Sequence, residues 1–168
     1  MIILFVSHFF WKFTVLGDET DTTVTFFGMD ISAPFIWMSR HIAQIITTVL
    51  NFLGFDVTLN SQNVIRHASG QAIRVVWACA GIKQAYIFLC IILFYRGPWL
   101  KKLWYIPLGL LVVYLFNIFR IAFITGFIEF YPNSFGFLHE HLFKYLFYGI
   151  IFLMWVLWEE KIVLKSKK

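Results

Sequence analysis

The sequence predicts an all-α integral membrane bundle: about four transmembrane helices, an outer amphipathic helix and a small extracytoplasmic β-hairpin. Three observations carry that prediction. Of the 168 residues, 60% are hydrophobic and 21% aromatic, with 21 Phe. Only 14% are charged, where a soluble domain carries about 25%. A soluble chain of this length has too little interior to hide so much apolar surface, and exposing it would drive aggregation. The third observation is where the charges fall. Membrane proteins gather Lys and Arg on one face of the bilayer, so the net charge of +5 does not point to nucleic acid. With two Cys the chain is not a disulfide-stapled secreted module, and its hydrophobicity excludes disorder.

The elements follow in order. Residues 2–16 form an apolar run interrupted by Lys12, short for a bilayer crossing, which takes roughly 20 residues. No basic start and no small-residue cleavage site accompany it, so it is expected to be a span and not a removed signal peptide. From Gly17 to Ser32 there is no Lys or Arg, but there are Asp18, Glu19, Asp21 and Asp30. This segment is expected outside. Residues 33–54 have Ser32 as a candidate N-cap, Pro34 in the first turn and Gly54 as a stop. Arg40, Gln44, Thr47, Thr48 and Asn51 recur there at helical spacing as one polar stripe. That pattern predicts an amphipathic helix on the outer surface or packed on the bundle. The alternative is a true span, which would invert the first segment and put the acidic stretch inside.

Residues 57–77 are rich in strand formers, including Val57, Leu59, Val64, Ile65, Ile73, Val75 and Val76, with a Ser69-Gly70 turn signal. They predict the hairpin. Spans are expected over about 80–96, 103–127 and 141–158. Trp99, Trp104, Tyr105 and Trp158 sit where interfacial aromatics belong. Arg96, Lys101 and Lys102 crowd one loop, and Lys161, Lys165, Lys167 and Lys168 crowd the C-terminus. Both regions are therefore expected in the cytoplasm. The result is a multi-pass protein of the cytoplasmic membrane, a single domain over 1–168 with both termini inside. Arg40, Arg66 and Arg74 are left outside by this topology.

Against this apolar background a few polar residues need a reason. Cys79 stands in Ala78-Cys79-Ala80-Gly81, at the outer mouth of the second span. Arg120 lies 17 residues beyond Leu103, about 25 Å along a helix, which places it near the outer leaflet. His139 and His141 stand at the outer mouth of the last span. Topology thus brings three residue types from three spans to one depth. Cys90, in mid-span, reads as an ordinary buried cysteine. Eleven helical residues separate it from Cys79, about 16 Å, beyond disulfide reach. Cys79 is therefore a candidate nucleophile as well as a candidate core residue, with Lys83 able to raise the local positive potential. Arg120 is either functional or glue, bonding Asn117 or a carbonyl. His139-Glu140-His141 points its two rings apart on a helix, so no metal site and no cofactor are expected. His8, His41 and His67 read as interfacial or loop residues.

A thiol, an imidazole and a guanidinium suffice for acyl transfer through a thioester. At these residues the chain resembles the exosortase/archaeosortase family, multi-pass membrane transpeptidases of the prokaryotic envelope. The residues that carry the resemblance are Ala78-Cys79-Ala80-Gly81-Ile82, Asn117-Ile118-Phe119-Arg120, the His before the last span, and Leu103-Trp104-Tyr105-Ile106-Pro107-Leu108-Gly109. The last run is similar to the short bacterial members. The resemblance implies catalytic Cys79, Arg120 and His139, with His141 as the alternative base. It implies exported substrate proteins bearing a C-terminal motif, a transmembrane segment and a basic tail, passed to an unknown surface acceptor outside the cytoplasm. Two other functions stand beside it: a non-enzymatic membrane subunit of an envelope-polymer export or assembly system, and a small anion transporter using Arg120.

Overall fold

The computed structural model describes residues 2–17, 23–60 and 63–164, and the chain is mostly helical. The acidic residues Asp18, Glu19 and Asp21 and the lysines at 165, 167 and 168, on which part of the orientation argument leans, lie outside the described residues. Five α-helices order the described residues: α1 (Ile2–Thr14), α2 (Ser32–Phe52), α3 (Ile82–Phe94), α4 (Trp99–Phe130) and α5 (Phe143–Trp158). Among the described residues, two helical stretches are long and apolar enough to cross a membrane, Trp99–Phe130 and Pro132–Val163, each of 32 residues. Each spans about 48 Å, more than the roughly 30 Å of hydrocarbon. By contrast α1 and α3 have 13 residues each, about 20 Å.

Apolar side chains cover the outside of the long helices. Trp99, Leu103, Leu111, Leu115 and Phe119 on α4 and Phe152, Leu153 and Leu157 on α5 are all exposed, as suits a surface facing lipid. Between the helices, Ile87, Phe88, Ile91 and Ile92 of α3 pack with Val113 of α4 and with Phe147, Ile151, Met154 and Trp158 of α5. In lipid this packing is held by close dispersion contact, because tails are as apolar as the side chains. Gly109 makes the closest approach possible. A Cβ there would lie 2.0 Å from the Phe88 ring.

The second core is built differently. Its helix, α2, turns Ile42, Ala43, Ile46 and Leu50 inward, while Arg40, Gln44 and Thr48 of the expected polar stripe stay exposed. These apolar residues meet Val57, Ile65, Val75, Ala80 and Ile121. Ser32 is not the N-cap. Its N–H and hydroxyl instead donate to the Asp30 carboxylate, at 2.8 and 2.5 Å, and the Ser32 oxygen accepts from Val24 N–H at 2.7 Å. This bonding ties α2 to a small antiparallel sheet, β1 (Val15–Leu16), β2 (Thr25–Phe26) and β3 (Met29–Asp30), which the sequence pattern did not announce. Strands of two residues are too short for a period to show.

Residues 57–77 are three strands where a two-stranded hairpin was expected. β4 (Val57–Leu59) pairs with β5 (Val64–His67), which pairs with β6 (Ala72–Arg74), all antiparallel. Gly70 takes the turn at φ 97°. Asn51 at the end of α2 holds the first strand, accepting from Val57 N–H and donating to Val57 O, both at 3.2 Å. β5 is pinned to α4 by His67, whose Nε2 lies 2.8 Å from Thr125 O and Nδ1 3.3 Å from Glu129. At 2% exposure His67 is a buried anchor, not the interfacial or loop residue its sequence position suggested. The sheet leads straight into a single tight turn, Trp77–Cys79, and then into α3.

Candidate active site

The backbone that carries Cys79 is held from two sides. Cys79 N–H donates to Val76 O at 3.0 Å, closing the turn. Asn117 of α4 donates its amide to Cys79 O at 3.0 Å. That approach depends on Gly81, which sits at φ 75° just before α3. A Cβ on residue 81 would be 2.9 Å from the Asn117 side chain, and the left-handed backbone disfavours any L side chain. The Asn117 amide therefore serves the cysteine turn, a role the sequence had not offered for it; bonding Arg120 was one of the alternatives left open there. Both Asn117 and Gly81 stand in the motifs quoted above, yet nothing local marked them as a clamp. Their contact joins positions far apart in the chain.

The sulfur of Cys79 faces His139, with Sγ 3.5 Å from Nε2. His139 lies in a wide turn of π type, Phe137–Leu142, that precedes α5. Such turns re-aim side chains and recur at functional sites. Phe135 stacks on the His139 ring, centroids 5.4 Å apart and planes within 15°, which fixes the ring plane. His141 points elsewhere. It is exposed and stacks on Phe137 at 6.1 Å. Cys79 and Cys90 are not joined by a disulfide. For Nε2 to accept the thiol proton, the neutral imidazole must carry its own proton on Nδ1.

Arg120 completes the group. It projects from α4 one helical turn beyond Asn117, is 7% exposed, and its Nε finds no hydrogen-bond partner among the described residues. A buried guanidinium with a spare donor is costly in a bilayer. It lies close enough to Cys79 to interact electrostatically with it. Cys79, Arg120 and His139 line one cavity of about 750 Å³. Its other walls carry Lys83, which the sequence had placed near Cys79, and residues it had set aside or not considered as a site. His8, Trp11 and Lys12 come from α1, Lys83 from α3, and Lys144 and Tyr148 from α5. His41 is elsewhere, stacked on Trp37 at 5.3 Å and 2.9 Å from the Tyr114 hydroxyl.

Fold and cavity together describe a helical membrane protein with a thiol, an imidazole and a guanidinium gathered in one chamber. A profile of the transmembrane exosortases matches residues 22–158, and the chain belongs to that family. The matched segment takes in Cys79, Arg120 and His139 and begins after α1. Comparison with curated proteins gives no match, and neither does comparison with solved structures. Membership brings the broad role of the family, processing the sorting signals of exported proteins.

Proposed function

We propose that this chain is a cysteine transpeptidase that cuts a C-terminal sorting signal through a thioester on Cys79 and passes the exported protein to a cell-surface acceptor. The observation that carries the reading is the 3.5 Å approach of Cys79 Sγ to His139 Nε2 in a cavity that also holds Arg120.

The reaction follows from those groups. His139 Nε2 takes the thiol proton, and the thiolate attacks the scissile carbonyl. Arg120, which lines the same cavity, stabilises the oxyanion with its guanidinium charge. The protonated imidazole then gives its proton to the departing amine. The C–N bond breaks and a thioester remains on Cys79. In the second half the acceptor nucleophile loses its proton to His139 and attacks the thioester carbonyl. The C–S bond breaks and Cys79 leaves as the thiol. His141 has no part in this scheme, being exposed and stacked on Phe137.

The topology proposed with it has four crossings and both termini in the cytoplasm. Arg96 and Lys101, with Lys161 at the C-terminal end, mark the inner face, and the cavity opens on the outer one. Substrates are exported proteins with a short motif, a transmembrane segment and a basic tail. The experiment is to co-express such a substrate with Cys79→Ala. Processing should vanish while the protein still inserts, and a thioester-linked product should be trapped on Cys79 when the acceptor is withheld. Normal processing by Cys79→Ala would overturn thiol catalysis and favour a non-enzymatic subunit of an envelope-assembly system.

A further inference from the structure

Both histidines of the wide turn before α5 have a phenylalanine four residues earlier in the chain. Phe135 stacks on His139, centroids 5.4 Å apart and planes 15° apart, and Phe137 stacks on His141 at 6.1 Å and 11°. Side chains four apart on a helix are neighbours, so spacing alone accounts for two stacks. What differs is the other partner of each imidazole. His139 Nε2 lies 3.5 Å from Cys79 Sγ, whereas His141 is exposed. Phe135 is itself exposed and belongs to no apolar core among the described residues. Core packing therefore does not account for its ring, which leaves the imidazole beneath it.

The chemistry of the thiol gives one stack a role. When the Cys79 proton moves to His139 Nε2, a thiolate and an imidazolium form, the latter with protons on both ring nitrogens. The face of a phenyl ring is electron-rich and its edge positive, and the face attracts a cation within about 6 Å of the centroid. Near-parallel planes turn the face of Phe135 to the imidazole, not its edge. The attraction is differential, because it acts on the charged ring and far less on the neutral one. The groups that share the cavity with His139 are Cys79, Arg120 on α4, Lys83 on α3, His8 and Lys12 on α1, and Lys144 and Tyr148 on α5. On its own turn, Glu140 follows in the chain and His141 is stacked on Phe137. Most of the cavity groups are cationic, and neighbouring cations disfavour a further positive charge. A ring face that attracts one shifts the balance back. We infer that Phe135 is a positioning residue that favours the imidazolium form of His139 through its stacked face, and so supports the Cys79 thiolate. It acts on the sulfur only through His139. This deepens the reading of His139 as the base for Cys79 and rests on it.

The test reads His139 directly. The full chain, in detergent and with isotope-labelled histidine, is titrated by NMR, and the His139 ring signal is identified by its loss in His139→Gln. Phe135→Leu should lower the pH at which His139 gives up its proton by about half a unit, the size of one exposed cation–ring contact. Phe137→Leu should leave that pH unchanged. Phe135→Trp, which offers a stronger ring face, should hold it at or above the parent value. A ring that only covers His139 predicts the opposite sign, since removing it admits water, favours the charged form and raises the titration. An unchanged or raised titration in Phe135→Leu overturns the inference, as does a fall in Phe135→Trp or an equal fall in Phe137→Leu. If the leucine variant does not fold, the tryptophan variant decides alone. No sorting substrate enters the measurement. A lowered titration in Phe135→Leu, together with normal processing by Cys79→Ala, would sink the transpeptidase and not the stack. An unchanged titration with processing lost in Cys79→Ala would sink only the stack.

Discussion

Helix α4 carries two buried cations, and they are held in opposite ways. Lys102 near its start is 4% exposed and Arg120 is 7% exposed; 18 residues, about 27 Å of helix, separate them. Lys102 is saturated. Its ammonium donates to Leu93 O at 2.8 Å and Tyr95 O at 2.6 Å, closing the end of α3, and lies 4.4 Å from the Trp99 ring centroid. The surrounding contacts are of the same kind. Trp158 Nε1 donates to Arg96 O at 2.9 Å and the Tyr105 hydroxyl to Met154 O at 2.6 Å. Arg120 instead keeps an unused Nε beside a cavity. One cation finishes a backbone and stabilises the bundle. The other lines the cavity that holds the Cys79 thiol, where its charge can act on a developing oxyanion.

The sharpest way to break this contrast is to remove each cation in turn. Arg120→Gln should abolish detectable processing and slow alkylation of Cys79 by iodoacetamide at pH 7 by roughly tenfold, through loss of a thiolate-stabilising charge. Thermal stability in detergent should hold. Lys102→Met should do the reverse. Leaving the α3 carbonyls without their donor costs about 1–3 kcal/mol of stability, read from the unfolding transition, while the alkylation rate stays at the parent value. If both substitutions lower stability alike and neither changes the thiol, the two cations are equivalent and the contrast fails.

A smaller effect is expected from Gly81→Ala. The left-handed backbone alone costs about 1–2 kcal/mol, and the new methyl displaces Asn117 from Cys79 O. Stability should fall by that amount, with slower Cys79 alkylation as the turn shifts. Unchanged alkylation would show that the Asn117 clamp does not set the position of the sulfur.

The smallest effect belongs to Asp30, outside both cation sites. The Ser32 hydroxyl and then the Ser32 N–H hold its carboxyl below the usual carboxylate value. A lowered folded pKa contributes stability that is complete above the unfolded value, about 3.9, and is lost as pH falls through the folded one. Asp30→Asn should therefore flatten a shallow loss of stability below about pH 4. The loss should persist unchanged in the variant if other carboxylates control it.

Several parts of this molecule were legible in the sequence for local reasons. The apolar runs behind α4 and α5 need only composition and length, and the amphipathic α2 needs only its period. The depth argument that grouped Cys79, Arg120 and His139 needed no more than helix rise and the placement of Lys and Arg. Other features gave no local signal. His67 reads from its neighbours as a loop residue, yet its ring reaches Thr125 and Glu129, about sixty positions along the chain. Lys12 reads as a flaw in a short span, yet it lines the same cavity as Cys79, Arg120 and His139.

The sequence by itself determined a membrane chain in which a thiol, a guanidinium and a few imidazoles stand out against an apolar background, because hydrophobic length and composition are one-dimensional properties. Only the tertiary structure decided which imidazole meets the sulfur. His139 and His141 are two positions apart and chemically identical, and the wide turn before α5 aims one at Cys79 and leaves the other exposed. It also decided that Asn117 clamps the cysteine turn and that one helix carries both a saturated cation and an open one. Those outcomes depend on the direction of side chains in space, which helix crossing, a left-handed glycine and a single wide turn set together.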